Sequence, residues 1–118
     1  MEIKHTAIPT VFTGYGKWGD WEWMQTDPDW AHTLFVFNDN EEQFDAYRQG
    51  LSIGYAAGAG NALARPWRKF NPPKSAGIPT GKKGSGYKVL DEVTKEKIDQ
   101  ALTVVYDLLK SFYYYYLV

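Results

Sequence analysis

Apolar residues gather in this chain in three unlike patterns, and each predicts a different element. Thr33 to Phe37, TLFVF, is a short unbroken apolar run that stops at Asn38-Asp39-Asn40. Such a run reads as a strand buried on both faces. Asn40 stands as the N-cap of a following helix, Gln43 completes a capping-box pattern, and Gly50 is placed to end that helix. Near the C-terminus, Ile98, Ala101, Leu102, Val105, Leu108 and Leu109 recur at helical spacing, with Lys97, Gln100, Asp107 and Lys110 on the opposite side. This predicts an amphipathic helix over Thr94 to Lys110, with Val93 and Ile98 at the positions of a hydrophobic staple. The chain finishes in SFYYYYLV, whose aromatic content favours a strand. A strand over Phe112 to Val118 needs a partner: it completes the sheet beside Leu34 to Phe37, or it pairs with a second copy as a homodimer edge.

The remaining stretches are patterned more weakly. The first ten or so residues form an edge strand, because Pro9 forbids a full hydrogen-bond ladder. Residues 14 to 30 hold four of the five tryptophans among glycines and aspartates. The alternation of Trp21 and Trp23 suggests a hairpin or a packed loop. LSIGYAAGAGNALARPWRKF reads as a loop leading into a short helix around Asn61 to Arg65 that ends or kinks near Pro66. SAGIP, Ser75 to Pro79, makes a brief strand, and GIPTGKKGSGY a glycine-rich loop. Together these elements predict one α/β domain over residues 1–118, a mixed sheet with packed helices. Residues 1–32 form a tryptophan-rich N-terminal extension and residues 33–118 the α/β core.

Length supports that assignment, since 118 residues with 44% apolar content bury one modest core. The chain has no cysteine, which removes disulfides, zinc-thiolate centres and thiol nucleophiles. No stretch approaches twenty consecutive apolar residues, and MEIKHTAIPT lacks the order of a signal peptide. A cytoplasmic protein without a membrane partner is expected, and no cofactor is expected.

Charge changes the picture more. From Asp20 to Asp45 the chain carries carboxylates and no lysine or arginine; from Arg65 to Lys88 it carries lysines and arginines and no carboxylate. Two readings stay open: two solvated loops that attract each other, or a local anion site. Gly58-Ala-Gly60-Asn61 precedes a helix, where small residues let backbone N–H groups approach a phosphate. Close packing of neighbouring chain would need the same small residues. The spacing matches neither the dinucleotide fingerprint nor the P-loop. Arg65 and Arg68, three apart, would face one side and hold phosphate between them. Lys82 and Lys83 either close over that ligand or keep their loop soluble. His5 and His32 are far apart and outside metal-ligand spacing, so no metal site is expected. Asp39, at the mouth of the sheet, is the best single candidate for a general base; one carboxylate is thin evidence for an enzyme, and turnover would have to depend on it.

The order TLFVFNDN, GAGNALARPWR, SAGIPTG, then a helix and a terminal strand, resembles a group of small phage and bacterial proteins of undefined function. Their pattern runs F-G-D-N, G-x-G-x-A with a basic residue, then G-I-P-T. It is distantly similar to the macrodomain arrangement around ADP-ribose. This chain has Asn38 and Asn61 where that group commonly has glycine. The resemblance implies that Asn38, Asp39 and Asn40 lie near a base or ribose, and Gly58, Gly60 and Asn61 near phosphates. Arg65 and Arg68 supply charge, and Ile78, Pro79 and Thr80 shape the floor. The function it implies is binding of a nucleotide-like or other phosphate-containing ligand, such as an ADP-ribose-like molecule, for sequestration or sensing. A phage-encoded protein would then act in the host cytoplasm. The alternative is an inhibitor or adaptor of a host defence protein, with Trp18, Trp21, Trp23 and Trp30 at the interface.

Overall fold

The computed structural model describes residues 5–82, 85–112, 114, 116 and 117. Lys83 and parts of the terminal aromatic run therefore lie outside the described residues. The fold is a single α/β domain built on a sheet whose described pairings are all parallel, where a mixed sheet was expected. Its strands are β1 (Thr6–Ala7), β2 (Thr33–Asp39), β3 (Ser75–Pro79) and β6 (Tyr116–Leu117), in the order β1-β6-β2-β3. A tight antiparallel pair, β4 (Gly81–Lys82) and β5 (Ser85–Gly86), follows β3. Helices α1 (Trp21–Met24), α2 (Glu41–Arg48) and α3 (Glu92–Ser111), and 3-10 turns at Pro28–Trp30, Ser52–Tyr55 and Gly60–Lys69, complete the element order.

Strand alternation sorts the core into two layers. Phe35 and Phe37 point to one face, where they meet Trp21, Met24, Ala62, Ala64 and Trp67. Leu34 points to the other, with Ala76, Val105 and Tyr114 and the partly buried Val36, Leu108 and Leu109. Because each face of β2 is covered, the strand needs apolar residues at successive positions, which is why TLFVF is unbroken. The parallel register pairs Phe35 with Ser75 and Asp39 with Pro79, so β2 and β3 end together.

Several expectations are corrected. Within the described part of the expected N-terminal extension, β1 joins the sheet and Trp21 and Met24 are buried in the core. The alternating tryptophans form a helical turn rather than a hairpin, because Trp21 and Met24, three apart, are the pair that goes inside. Of the strand expected over Phe112 to Val118, the described β6 residues Tyr116 and Leu117 pair with β1 on one side and β2 on the other, and so complete the sheet. Helix α3 starts at Glu92, since the Asp91 carboxylate accepts the Thr94 N–H at 2.8 Å. Val93 thus lies inside the helix, exposed, and makes no staple. The apolar face of α3 buries Ala101 and Val105 but leaves Leu102 exposed.

The buried Tyr114 hydroxyl donates to the Pro73 carbonyl oxygen, and burial pushes its pKa up to about 12. An unfolded tyrosine ionises near pH 10. Between those values the unfolded chain binds fewer protons than the folded one, so this contribution is complete below pH 10 and is lost as pH rises towards 12. Thermal unfolding followed across that window should show a falling Tm, and Tyr114→Phe should flatten the fall.

Candidate functional site

The site begins with the alternation of β2. Phe35, Phe37 and Asp39 share one face, so the carboxylate that follows two buried phenylalanines also points inward. Opposite it runs the 3-10 segment Gly60–Lys69, in which three residues complete a turn and side chains at i and i+3 stack. Ala62, Arg65 and Arg68 form one buried ridge, and Ala64 and Trp67 lie on a second. Pro66, expected to end a helix near itself, sits within this segment.

Arg65 Nε donates to Asp39 Oδ1 at 3.0 Å and Arg68 Nη1 donates to Asp39 Oδ2 at 2.8 Å. The side chains are 0% exposed for Asp39, 3% for Arg65 and 2% for Arg68. Two cations face one anion, and the surplus positive charge is taken up by backbone carbonyls. Arg65 donates to Ala56 O at 3.0 Å, while Arg68 donates to Gly54 O at 2.8 Å and to Gln43 O at 3.4 Å. The Arg68 guanidinium also lies 4.2 Å from the centre of the Tyr47 ring. Burial pulls the Arg68 pKa down, opposed by the charge and hydrogen bond of Asp39, and the group remains cationic at neutral pH.

This clamp corrects the roles expected for its members. The arginine side chains are committed to Asp39 and to backbone oxygens, so they are not poised to hold a phosphate between them. Asp39 has both oxygens engaged and is not placed as a general base. Gly58 is small because a Cβ there would stand 2.8 Å from Arg65 Nη1, and Gly54 because a Cβ would stand 2.4 Å from the Tyr47 nitrogen. Gly60 alone of the three has a positive φ, +61°, with nothing within 4 Å of its would-be Cβ. Small residues here therefore serve neighbouring chain first.

Around the clamp a cleft of about 970 Å³ opens at the carboxyl ends of β2 and β3. Asn38, Asp39, Asn40, Gly58, Arg65 and Thr80 all line it. Asn40 is fixed there by its cap: its side chain accepts the Gln43 N–H at 2.8 Å and donates to Gln43 Oε1 at 2.6 Å. Thr80 is fixed by its N–H, donated to the Asp39 carbonyl at 3.1 Å. Gly60 and Asn61 line a neighbouring hollow instead, although Asn61 Oδ1 accepts the Asn38 N–H at 2.9 Å and so ties the two walls. Arg68, Ile78 and Pro79 line neither; Pro79 is fully buried.

Further residues complete the cleft. Glu42, Ala56, Ala57, Ala59 and Ser85, which the sequence did not single out as site residues, stand in its wall with the capping residue Gln43. Lys82, one of the two lysines expected to close over a ligand or keep their loop soluble, lines it from β4. The signal for Ser85 and Lys82 was the glycine at 81: a Cβ there would stand 2.0 Å from Ser85 O, so β4 and β5 approach closely at this point. The α2 wall is braced by Lys97, which donates to Glu41 and, at 2.8 Å, to Asp45. Burial pulls the Lys97 pKa down, but these two carboxylates outweigh it and leave the ammonium raised.

The tryptophans expected at an interface divide. Trp21 is buried against Phe35 at 5.3 Å between ring centres, Trp23 and Trp30 are partly buried against the same cluster, and only Trp18 is exposed, at 42%. Packing is the role of the first three. Among the described residues no helix is long and apolar enough to cross a membrane, and no group of three or more metal-ligating side chains is placed to hold an ion. Comparison with protein-family models, with curated proteins and with solved structures finds no match for the chain.

Proposed function

We propose that the cleft captures a small nucleotide-like or other phosphate-containing molecule, for sequestration or sensing rather than turnover. One observation carries this reading: the polar tip of β2, the small-residue turn at 56–59 and the β4–β5 hairpin converge on one hollow at the carboxyl ends of two parallel strands. Open α/β sheets bind ligands in that position, where strand ends and helix N-termini leave polar groups facing a gap. Asn38 supplies side-chain hydrogen bonds suited to a base or ribose, while Asn40, held by Gln43, and Thr80, whose hydroxyl donates to the Asp39 carbonyl, shape the wall beside it. The phosphate falls to Lys82 and to the backbone N–H groups of Ala57 and Ala59, since those of Ala56 and Gly58 are donated to Ile53 O and Ala62 O; the turn lacks side chains that would hold an anion away. Arg65 acts beneath, holding Ala56 and the turn in shape and lending its charge through the floor. Capture is favoured over turnover because Asp39, the acid expected to act as base, is wholly engaged by the arginines.

Isothermal titration calorimetry with ADP-ribose, AMP and inorganic phosphate tests the proposal, alongside Ala57→Glu. Ala57 is exposed in the cleft wall, so the variant should keep its stability within about 0.5 kcal/mol. A carboxylate placed there repels phosphate and should weaken binding by roughly tenfold or more. Absence of binding to all three compounds, or equal binding by the variant, contradicts the assignment.

A further inference from the structure

The neighbouring hollow, about 480 Å³, has a chemistry of its own. Phe12, Tyr15 and Trp21 wall it together with Asp20 and Glu22. Phe12 and Tyr15 meet edge to face, with ring centres 5.1 Å apart. Trp21 is held as a floor, its indole N–H donated to Thr10 Oγ1 at 2.9 Å. Asp20 is only 7% exposed, accepts the Gly16 N–H at 2.8 Å, and is in no ion pair among the described residues. A carboxylate so far from water is costly without a counter-charge, and aromatic rings attract cations.

We propose that this hollow receives an arginine or lysine side chain from a basic segment of a partner protein. The cavity supplies two elements that a buried cation needs: aromatic surface for its flat or methylene portion, and a largely buried carboxylate for its charge. A protein, rather than a free small cation, is indicated by what surrounds the opening. Two of its aromatic walls stay open to solvent, Phe12 55% exposed and Tyr15 86%, an apolar surface that a larger partner would cover. Asp20 and Glu22 both line the hollow and no lysine or arginine among the described residues lines it, so its charge complements a basic segment. The inference is independent of the ligand assigned to the cleft.

The test is an NMR titration of the full chain, following the tryptophan indole N–H signals. Its probe is the peptide acetyl-Gly-Arg-Gly-Arg-Gly-amide, compared with the same peptide carrying glutamine for arginine, and with arginine amide alone. The arginine peptide should shift the Trp21 indole signal and the glutamine peptide should not. Asp20→Asn should weaken the arginine peptide by about tenfold or more, the scale of one charge-assisted hydrogen bond. Tyr15→Ala, at an exposed position, should weaken it too with the fold intact, and it decides the matter if Asp20→Asn does not fold. Ala57→Glu should bind it as the wild type does. Equal shifts from both peptides, no shift from either, or wild-type binding by a folded variant would overturn the site. Arginine amide binding as tightly as the peptide would overturn the protein partner.

Discussion

Asp39→Ala is expected to cost about 3–5 kcal/mol of folding stability, the range for removing one partner of a buried ion pair. Two guanidinium groups, 3% and 2% exposed, would lose their shared carboxylate and keep only backbone carbonyls as acceptors. A domain of ordinary stability holds about 5–15 kcal/mol in total, so the variant would be near the edge of unfolding. Asp39→Asn preserves shape and one acceptor while removing the charge, and should fall between the two. Urea unfolding of the three proteins measures this, and a loss under about 1 kcal/mol for Asp39→Ala would mean that the clamp does not hold the site together. Because the clamp joins the end of β2 to the turns at Ser52–Tyr55 and Gly60–Lys69, ligand affinity should fall with it.

The second large effect is expected at Gly54. An alanine Cβ there would stand 2.4 Å from the nitrogen and 2.5 Å from the Cα of Tyr47, inside the body of α2, where a hydrogen-bonded backbone has little room to give. Relief requires the Ser52–Tyr55 turn to move away, and that turn carries the carbonyl that Arg68 grips. Gly54→Ala should therefore cost about 3 kcal/mol, at the upper end of overpacking, through both steric strain and a loosened clamp. Gly60→Ala is the matched control. Its Cβ meets nothing within 4 Å, so only the positive φ counts against it, on the order of 1 kcal/mol. If the two variants melt at the same temperature, the close approach at Gly54 is not what the glycine is for.

The parts of the fold that the sequence made legible are those decided by short-range chemistry. TLFVF could only be a doubly buried strand, and Asn40 with Gln43 could cap a helix wherever it lay. SAGIP became β3 as expected. Local ambiguity misled where two signals competed: Asp91 outbid Thr94 as N-cap because its carboxylate reaches the Thr94 amide. The tryptophan alternation imitated a strand while the i, i+3 pair of Trp21 and Met24 did the packing.

The site was legible in membership more than in role. Asp39, Arg65 and Arg68 were each singled out, but as groups seeking a ligand, whereas they satisfy one another. The sign was present in the chain: Asp39 keeps the inward alternation of Phe35 and Phe37, and Ala62, Arg65 and Arg68 keep a period of three. Gly54 gave no such sign, since its neighbour is the backbone of Tyr47, a contact fixed only once α2 and the following turn have packed. The hairpin that brings Lys82 to the cleft depends in the same way on tertiary geometry.

The most direct test of the central claim is a ¹⁵N-NMR titration of the wild-type chain with ADP-ribose, AMP and inorganic phosphate. Amide signals of Asn38, Asn40, Gly58, Thr80 and Lys82 should move together and saturate with one of these compounds, while the Nε–H signals of Arg65 and Arg68 keep their protected, buried character. A spectrum unmoved by all three, or shifts gathered on α3 and away from the strand ends, would contradict the account.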